Sequence, residues 1–290
     1  MIMSAILFPD GTDLLALDLS QVNTEAALYL ADLSLGTVTA ITTIGERFPS
    51  TVAWSPDSSN LAYTAWTDTN GDGNPYGQDD TPSSFIYTLA TQNTATIGDN
   101  VTSPTWLDTT HIAYIAYTID SATNTASTAV QSYDITANTS QLLIPSDNQF
   151  LYTALAASPD GSQLAMLTTI NQSSTLLDES FDLEQDPLQI GPDHIFVANS
   201  DGTSLRDVYA PLPTDILFLD VPVWSNDGST LYISSANPIG VLTTPFSSET
   251  TLQQRLIALT IDTPDNPQVL YEGPMNSSGI LHFIIGFNAI

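Results

Sequence analysis

Apolar and polar positions alternate along most of this chain, and one particular alternation comes back five times. VAWSPDSSNLAYTA (52–65), ALAASPDGSQLAML (154–167) and VPVWSNDGSTLYIS (221–234) share a short apolar segment, a Ser-Pro-Asp-Gly type turn, and a leucine opening a second alternating segment. ILFPDGTDLLAL (6–17) and SPTWLDTTHIAYIAY (103–117) are weaker copies. A period of two gives each segment one half-buried face, while Pro, Asp and Gly set the turn dihedrals, so each copy predicts a β-hairpin. A third alternating run follows each hairpin: AALYLADL (26–33), SFIYTLAT (84–91), AVQSYDIT (129–136), HIFVANSDG (194–202) and QRLIALTID (254–262). A fourth, short run follows in turn: TVTAIT, TATIG, SQLLIP, SLRDVYAP and PQVLYEG. Helical periodicity is nearly absent.

Four strands per unit and several units in one chain predict an all-β fold, a β-propeller of four-stranded antiparallel blades in which radial repetition leaves only short edges. Trp54, Trp106 and Trp224 hold equivalent places in the innermost strand, with Phe8 and Ala157 at the other two. The W-S-P-D-G-x-x-L-A-Y hairpin followed by an I-Y-x-x-D/N strand resembles the WD40-like repeat of TolB-type β-propellers, over essentially the whole chain. That resemblance implies about six blades and a role as a protein-binding platform or as a non-catalytic domain beside a hydrolase. The expected blades are 4–45, 46–99, 100–146, 147–212 and 213–273 within one domain spanning 1–290. GILHFIIGFNAI (279–290) opens a sixth over 274–290 but stops after one or two strands. The sixth blade is then partial or closed in an unconventional way, or the chain is a fragment.

With strands a to d in each blade, a–b and c–d turns share one face and b–c and d–a connections the other. The longest insertions, 66–83, 118–128, 168–193 and 235–253, all fall between b and c strands. Their common face is the expected binding surface, since function concentrates on variable loops held by a rigid scaffold. The first of them contains TDTNGDGNPYGQDD (67–80). Asp68, Asn70, Asp72, Gly73 and Asp79 match positions 1, 3, 5, 6 and 12 of a calcium loop, and Asn74 offers its backbone carbonyl at position 7. Oxygen ligands at alternating positions wrap one hard cation and Gly73 allows the bend. Strands flank the loop, so the expectation is a Ca2+ site without EF-hand helices. The second acidic loop carries Asp178, Glu179, Asp182, Glu184, Asp186 and Asp193, read as a solvated excursion before a second ion site or a docking patch for a basic partner.

Composition narrows the partners. The chain of 290 residues carries 32 acidic residues against three arginines (Arg47, Arg206, Arg255) and no lysine, a formal net charge of -29. Such a surface repels a phosphate backbone and an anionic membrane, so neither nucleic acid nor membrane insertion is expected. No apolar span reaches the roughly 20 residues of a membrane helix, and MIMSAILFPDG lacks the basic region and apolar run of a signal peptide. Cysteine is absent, which rules out thiol chemistry in this sequence. His111, His194 and His282 stand apart in sequence and read as structural. Tyr63, Trp66, Tyr114 and Tyr117 read as packing between blades before they read as a glycan channel. No G-x-S-x-G, H-E-x-x-H or G-x-x-x-x-G-K motif is present. The reading is a non-catalytic propeller that binds a protein partner or its own copies through the long-loop face. The alternatives are the propeller domain of a peptide- or glycan-acting enzyme and a carbohydrate-binding module. Near-absence of basic residues, abundant Ser, Thr and Asn, and an oxygen-rich loop suited to millimolar calcium place the chain in the extracellular space or at the cell surface.

Overall fold

The computed structural model describes residues 2–7, 13–18, 27–32, 35–41, 47–67, 81–120, 122–123, 125–147, 149–170, 194–209, 221–239, 251–264 and 266–274. They form five four-stranded antiparallel sheets, each a meander in chain order. The first holds β1 (Ile2–Leu7), β2 (Asp13–Asp18), β3 (Ala27–Asp32) and β4 (Thr37–Ala40); the second β5 (Arg47–Trp54), β6 (Asn60–Thr67), β7 (Thr81–Thr88) and β8 (Asn93–Asp99). The third holds β9 (Val101–Trp106), β10 (His111–Asp120), β11 (Thr125–Asp134) and β12 (Thr139–Ile144). The fourth holds β13 (Phe150–Ala157), β14 (Gln163–Ile170), β15 (His194–Asn199) and β16 (Arg206–Tyr209); the fifth β17 (Val223–Trp224), β18 (Thr230–Ile239), β19 (Thr251–Thr260) and β20 (Gln268–Pro274). No helix occurs among the described residues.

Each expected run lands on a strand, because alternation and turn chemistry point the same way. All four long connections are shorter than the sequence pattern suggests, the first being 68–80 and not 66–83 and the fourth sheet's 171–193 and not 168–193. β10 continues to Asp120 and β11 starts at Thr125, so the third sheet's b–c connection is 121–124 and not 118–128. Likewise Ile239 pairs with Thr251, which confines the fifth sheet's b–c connection to 240–250. These strand ends are held by backbone pairing, which needs no apolar face and so leaves no hydrophobic pattern to read.

The described residues fall into two compact units. One holds the first two sheets and most of the third; the other holds the fourth and fifth sheets with Thr118–Val130. In the first unit Leu61, Tyr63, Ala65, Phe85 and Tyr87 form one core, and Ala62, Ile86, Val101, Trp106, Ile112, Tyr114 and Tyr133 another. Tyr63 and Tyr114 are thus packed, and the Tyr114 hydroxyl donates to Gln131 Oε1 (2.8 Å) or Ser140 Oγ (2.9 Å). In the second unit Trp224, Leu231, Ile233, Ile257 and Leu259 of the fifth sheet pack with Ala165, Ile195, Val197 and Val208 of the fourth.

The inner-strand tryptophans fasten one sheet to the one before it. Trp106 Nε1 donates to the Ala53 carbonyl and Trp224 Nε1 to the Ala156 carbonyl, each at 3.0 Å. Ala53 and Ala156 each directly precede the position equivalent to Trp106 or Trp224, so the same link is built in both units. Gly202, at φ +84°, turns the fourth sheet's c–d connection, and an added Cβ would stand 2.2 Å from the Leu143 carbonyl oxygen. Only glycine meets both demands.

Candidate functional site

In the second to fifth sheets the two ends differ in chemistry. At one end the a–b turns satisfy themselves. In Ser158-Pro159-Asp160-Gly161-Ser162, Asp160 Oδ1 accepts from the Ser158 hydroxyl (2.7 Å), the Ser162 amide (3.0 Å) and the Ser162 hydroxyl (2.8 Å), and Ser158 Oγ accepts the Gln163 amide (3.0 Å). The same set recurs around Asp57 with Ser55, Ser59 and Asn60, and around Asp227 with Ser225, Ser229 and Thr230. Ser58 (φ 57°), Gly161 (φ 68°) and Gly228 (φ 69°) take the left-handed place in the three turns. The Ser158 hydroxyl first, then the Ser162 amide and hydroxyl, hold the Asp160 carboxyl at about 2, and the equivalent donors do the same for Asp227. Donors bonded to a carboxylate favour its charged form.

The third sheet replaces this turn by Leu107-Asp108-Thr109-Thr110. Asp108 Oδ1 accepts the amides of Thr110 (2.6 Å) and His111 (2.7 Å). Burial pushes its carboxyl up, but these bonds outweigh it and leave it at about 2. His111 Nδ1 donates to Asp108 Oδ2 (2.8 Å) while Nε2 lies 3.7 Å from Asp134 Oδ2, so this histidine ties the a–b turn to the c–d turn. Backbone bonds make the same tie in four sheets: Leu89 to Ser59, Ile135 to Thr110, Ser200 to Ser162 and Ile261 to Ser229, each amide to carbonyl at 2.9–3.1 Å. In the second to fifth sheets this end is closed, and the a–b turn carboxylates Asp57, Asp108, Asp160 and Asp227 are occupied.

The b–c connections leave from the other end. Thr67 pairs with Thr81 and Trp66 with Pro82, so the segment 68–80 is gripped by two strands in register. Beneath that grip a chain of hydroxyls crosses the sheet. Thr51 Oγ1 donates to Thr64 Oγ1 (2.9 Å), Thr64 Oγ1 lies 3.1 Å from Ser84 Oγ, and Ser84 Oγ donates to the Val101 carbonyl (2.9 Å). Thr64 and Ser84 are fully buried. The Asn100 amide donates to the Pro82 carbonyl at 2.7 Å. The expected ligands Asp68, Asn70, Asp72, Asn74 and Asp79 lie outside the described residues. Their donor set, carboxylate, amide and carbonyl oxygen, suits a hard cation, and the arms holding them are fixed. Among the described residues no group of three or more His, Asp or Glu side chains is gathered to hold a metal.

At the corresponding end of the fourth sheet the acidic segment 171–193, with Asp178, Glu179, Asp182, Glu184, Asp186 and Asp193, also lies outside the described residues. His194, which follows it, is largely enclosed. Its Nδ1 donates to Asp207 Oδ2 at 2.6 Å, and its ring stands 5.0 Å from Phe150, edge to face. Phe150 meets Phe196 in the same way at 5.2 Å. Sequence reasoning missed this His194–Asp207 pair because its members are on different strands, but the c–d register, which pairs Phe196 with Asp207, brings them within reach. His282 lies outside the described residues.

No family model matches the chain, and no curated protein matches it. Solved structures do. TolB from Acinetobacter baumannii is similar at TM-score 0.58 and 14% identity, over 95% of this chain and 55% of its own. An oligogalacturonate lyase from Vibrio parahaemolyticus is similar at TM-score 0.58 and 13% identity, over 92% of this chain and 64% of its own. A structure of the nidogen/laminin complex is similar at TM-score 0.57 and 10% identity, over 93% of this chain and 79% of that one. The chain therefore spans between half and two thirds of the first two proteins. At such identities the likeness speaks for architecture alone, and with five four-stranded meanders it makes this chain an all-β protein with the β-propeller fold.

Proposed function

We propose that this propeller is a non-catalytic binding module outside the cell, which engages a protein partner or its own copies through the b–c loops and is stabilised by calcium. Asp68, Asn70, Asp72 and Asp79, with the Asn74 carbonyl, are the ligands. The observation that carries this reading is the grip at Thr67 and Thr81: an oxygen-rich segment with calcium-loop spacing is closed at its base by paired strands over a buried hydroxyl chain. Binding to a site the unfolded chain lacks stabilises the fold by mass action. The cation also offsets the self-repulsion of a net charge of -29. Support for a binding role comes from the likeness to one partner of a nidogen/laminin complex.

The test is thermal unfolding at low ionic strength with chelator, then in about 1 M NaCl, where the Debye length falls to about 3 Å, and then with calcium at low ionic strength. Calcium should raise the melting temperature well beyond what its ionic strength alone supplies. Equal melting temperatures in all three conditions would sink the electrostatic argument. Rescue by salt alone would point to a halophilic adaptation.

One observation favours a second reading, that of an enzyme domain acting on a glycan or peptide. The Asp207 carboxylate fixes the tautomer of His194, as carboxylates do for general bases, and one structural neighbour is an oligogalacturonate lyase. Cleavage of a glycan or peptide that disappears in His194→Gln would select this reading.

A further inference from the structure

The third sheet breaks the repeat at its a–b turn, and a histidine stands at the break. The turns of the second, fourth and fifth sheets open on Ser55-Pro56-Asp57, Ser158-Pro159-Asp160 and Ser225-Asn226-Asp227, and the strand after each begins with Asn60, Gln163 or Thr230. In the third sheet Leu107 takes the place of the serine, the turn is one residue shorter, and β10 begins with His111. The hydroxyl that the other turns donate to their aspartate is therefore missing. The imidazole replaces it: His111 Nδ1 lies 2.8 Å from Asp108 Oδ2 and 3.1 Å from Oδ1.

This bond decides the tautomer. With its carboxyl at about 2, Asp108 is ionised at neutral pH and can only accept, so the ring proton stands on Nδ1. Nε2 of the neutral ring then carries a lone pair, and it faces Asp134 Oδ2 at 3.7 Å across the gap between the a–b and c–d turns. Asp134 is itself fixed: its Oδ1 accepts the amides of Thr136 (2.8 Å) and Ala137 (3.0 Å), and Oδ2 is the oxygen opposite the ring. Two acceptors cannot bond each other, and a cation between them satisfies both. A tetrahedral ion about 2.1 Å from each of two ligands sets those ligands about 3.4 Å apart. A shift of a few tenths of an ångström in either side chain therefore seats one. The His111 and Asp134 side chains are 43% and 32% exposed, so the ion has a path in and water can complete its shell.

We propose that His111 Nε2 and Asp134 Oδ2 form a surface site for a borderline divalent cation of the zinc class, with Asp108 holding the imidazole from behind. A carboxylate on the far ring nitrogen is the arrangement that fixes metal-binding histidines and raises their basicity. The nitrogen ligand selects the metal: imidazole suits zinc, whereas calcium takes oxygen ligands. The site is thus separate, in place and in metal type, from the calcium loop proposed for 68–80. His194 has the same carboxylate arrangement on its Nδ1, but its ring packs beside those of Phe150 and Phe196, which are not ligands. Two protein ligands completed by water make a weak site, and a net charge of -29 raises the cation concentration around it. A bound ion would staple the start of β10 to the end of β11.

The experiment is calorimetric titration of zinc chloride into the full chain near neutral pH, without and then with millimolar calcium to fill oxygen-only sites, while NMR follows the ring nitrogens of the histidines. A zinc ion should bind in both conditions, and Nε2 of His111 should be the ring nitrogen that shifts. His111→Gln and Asp134→Asn should each abolish that binding. Asp134→Asn keeps the oxygen that accepts the two amides, so its melting temperature in chelator should match that of the unaltered chain, and its lost binding is then not lost folding. Asp108→Asn offers the ring a donor in place of an acceptor and should weaken binding about 10–100-fold, as loss of an outer carboxylate does. His194→Gln should leave it unchanged. The affinity should fall as acid protonates Nε2, because proton and metal compete for one lone pair. No zinc binding overturns the proposal. So does binding that survives in either His111→Gln or Asp134→Asn, which would mean an adventitious ion only, and so does loss of the zinc signal when calcium is added, which would assign the zinc to oxygen ligands elsewhere.

Discussion

Asp160 and Asp72 are the same residue type placed in opposite kinds of connection. Asp160 lies in an a–b turn, where three donors from Ser158 and Ser162 occupy its carboxylate. Asp72 belongs to a b–c connection, in a run where acids and amides alternate with small residues and no serine stands beside an acid to occupy it. The turn end of a blade uses its acids to close the backbone. The acids of the b–c connections are, on the proposal above, the ones that hold a cation. A count of -29 therefore says little about ligand capacity until each acid is assigned to an end.

The largest expected effect destroys the frame that both ends depend on. Trp224 is buried in the core of the second unit and its indole donates to the Ala156 carbonyl. Trp224→Ala should cost about 3–5 kcal/mol of unfolding free energy by cavity formation. Trp224→Phe, which keeps most of the volume and removes the donor, should cost about 1–2 kcal/mol. Urea denaturation measures both, and a Trp224→Phe cost near zero would mean that the indole bond contributes nothing.

A smaller effect separates the two ends. Asp160→Ala removes the acceptor of three bonds and should lower the melting temperature by a few degrees without touching the loop end. Its acid dependence has a definite sign. The folded carboxyl titrates at about 2 against an ordinary value of 3.8, so the charged form is favoured in the folded state. That stability is fully present above about pH 4 and is lost as the pH falls toward 2. The melting temperature of Asp160→Ala should accordingly fall less than that of the unaltered chain between pH 5 and pH 2. Parallel curves would contradict the bonds described.

The sequence made the turn end almost fully legible. Ser-Pro-Asp-Gly and its close variants write their own hydrogen bonds over five residues, and the second, fourth and fifth sheets repeat them. The strands were legible wherever one face is buried, and not at the tips of β10 and β11, where polar residues pair through backbone alone. The indole links were illegible because the acceptors are backbone carbonyls 53 and 68 residues away. His194–Asp207 escaped for the related reason that the pair exists only once β15 and β16 are in register. Of the calcium loop, the sequence shows donor types and spacing, and the structure adds the paired arms at Thr67 and Thr81.

The contrast between the two carboxylate populations rests on one measurement: calorimetric titration of calcium into the unaltered chain, Asp72→Ala and Asp160→Ala. The unaltered chain should bind one ion with a dissociation constant of about 0.1–1 mM, the range of extracellular modules. Asp72→Ala should lose that binding while keeping the melting temperature measured in chelator, and Asp160→Ala should keep the binding while losing melting temperature. No calcium heat from the unaltered chain, or unchanged binding in Asp72→Ala, would contradict the account.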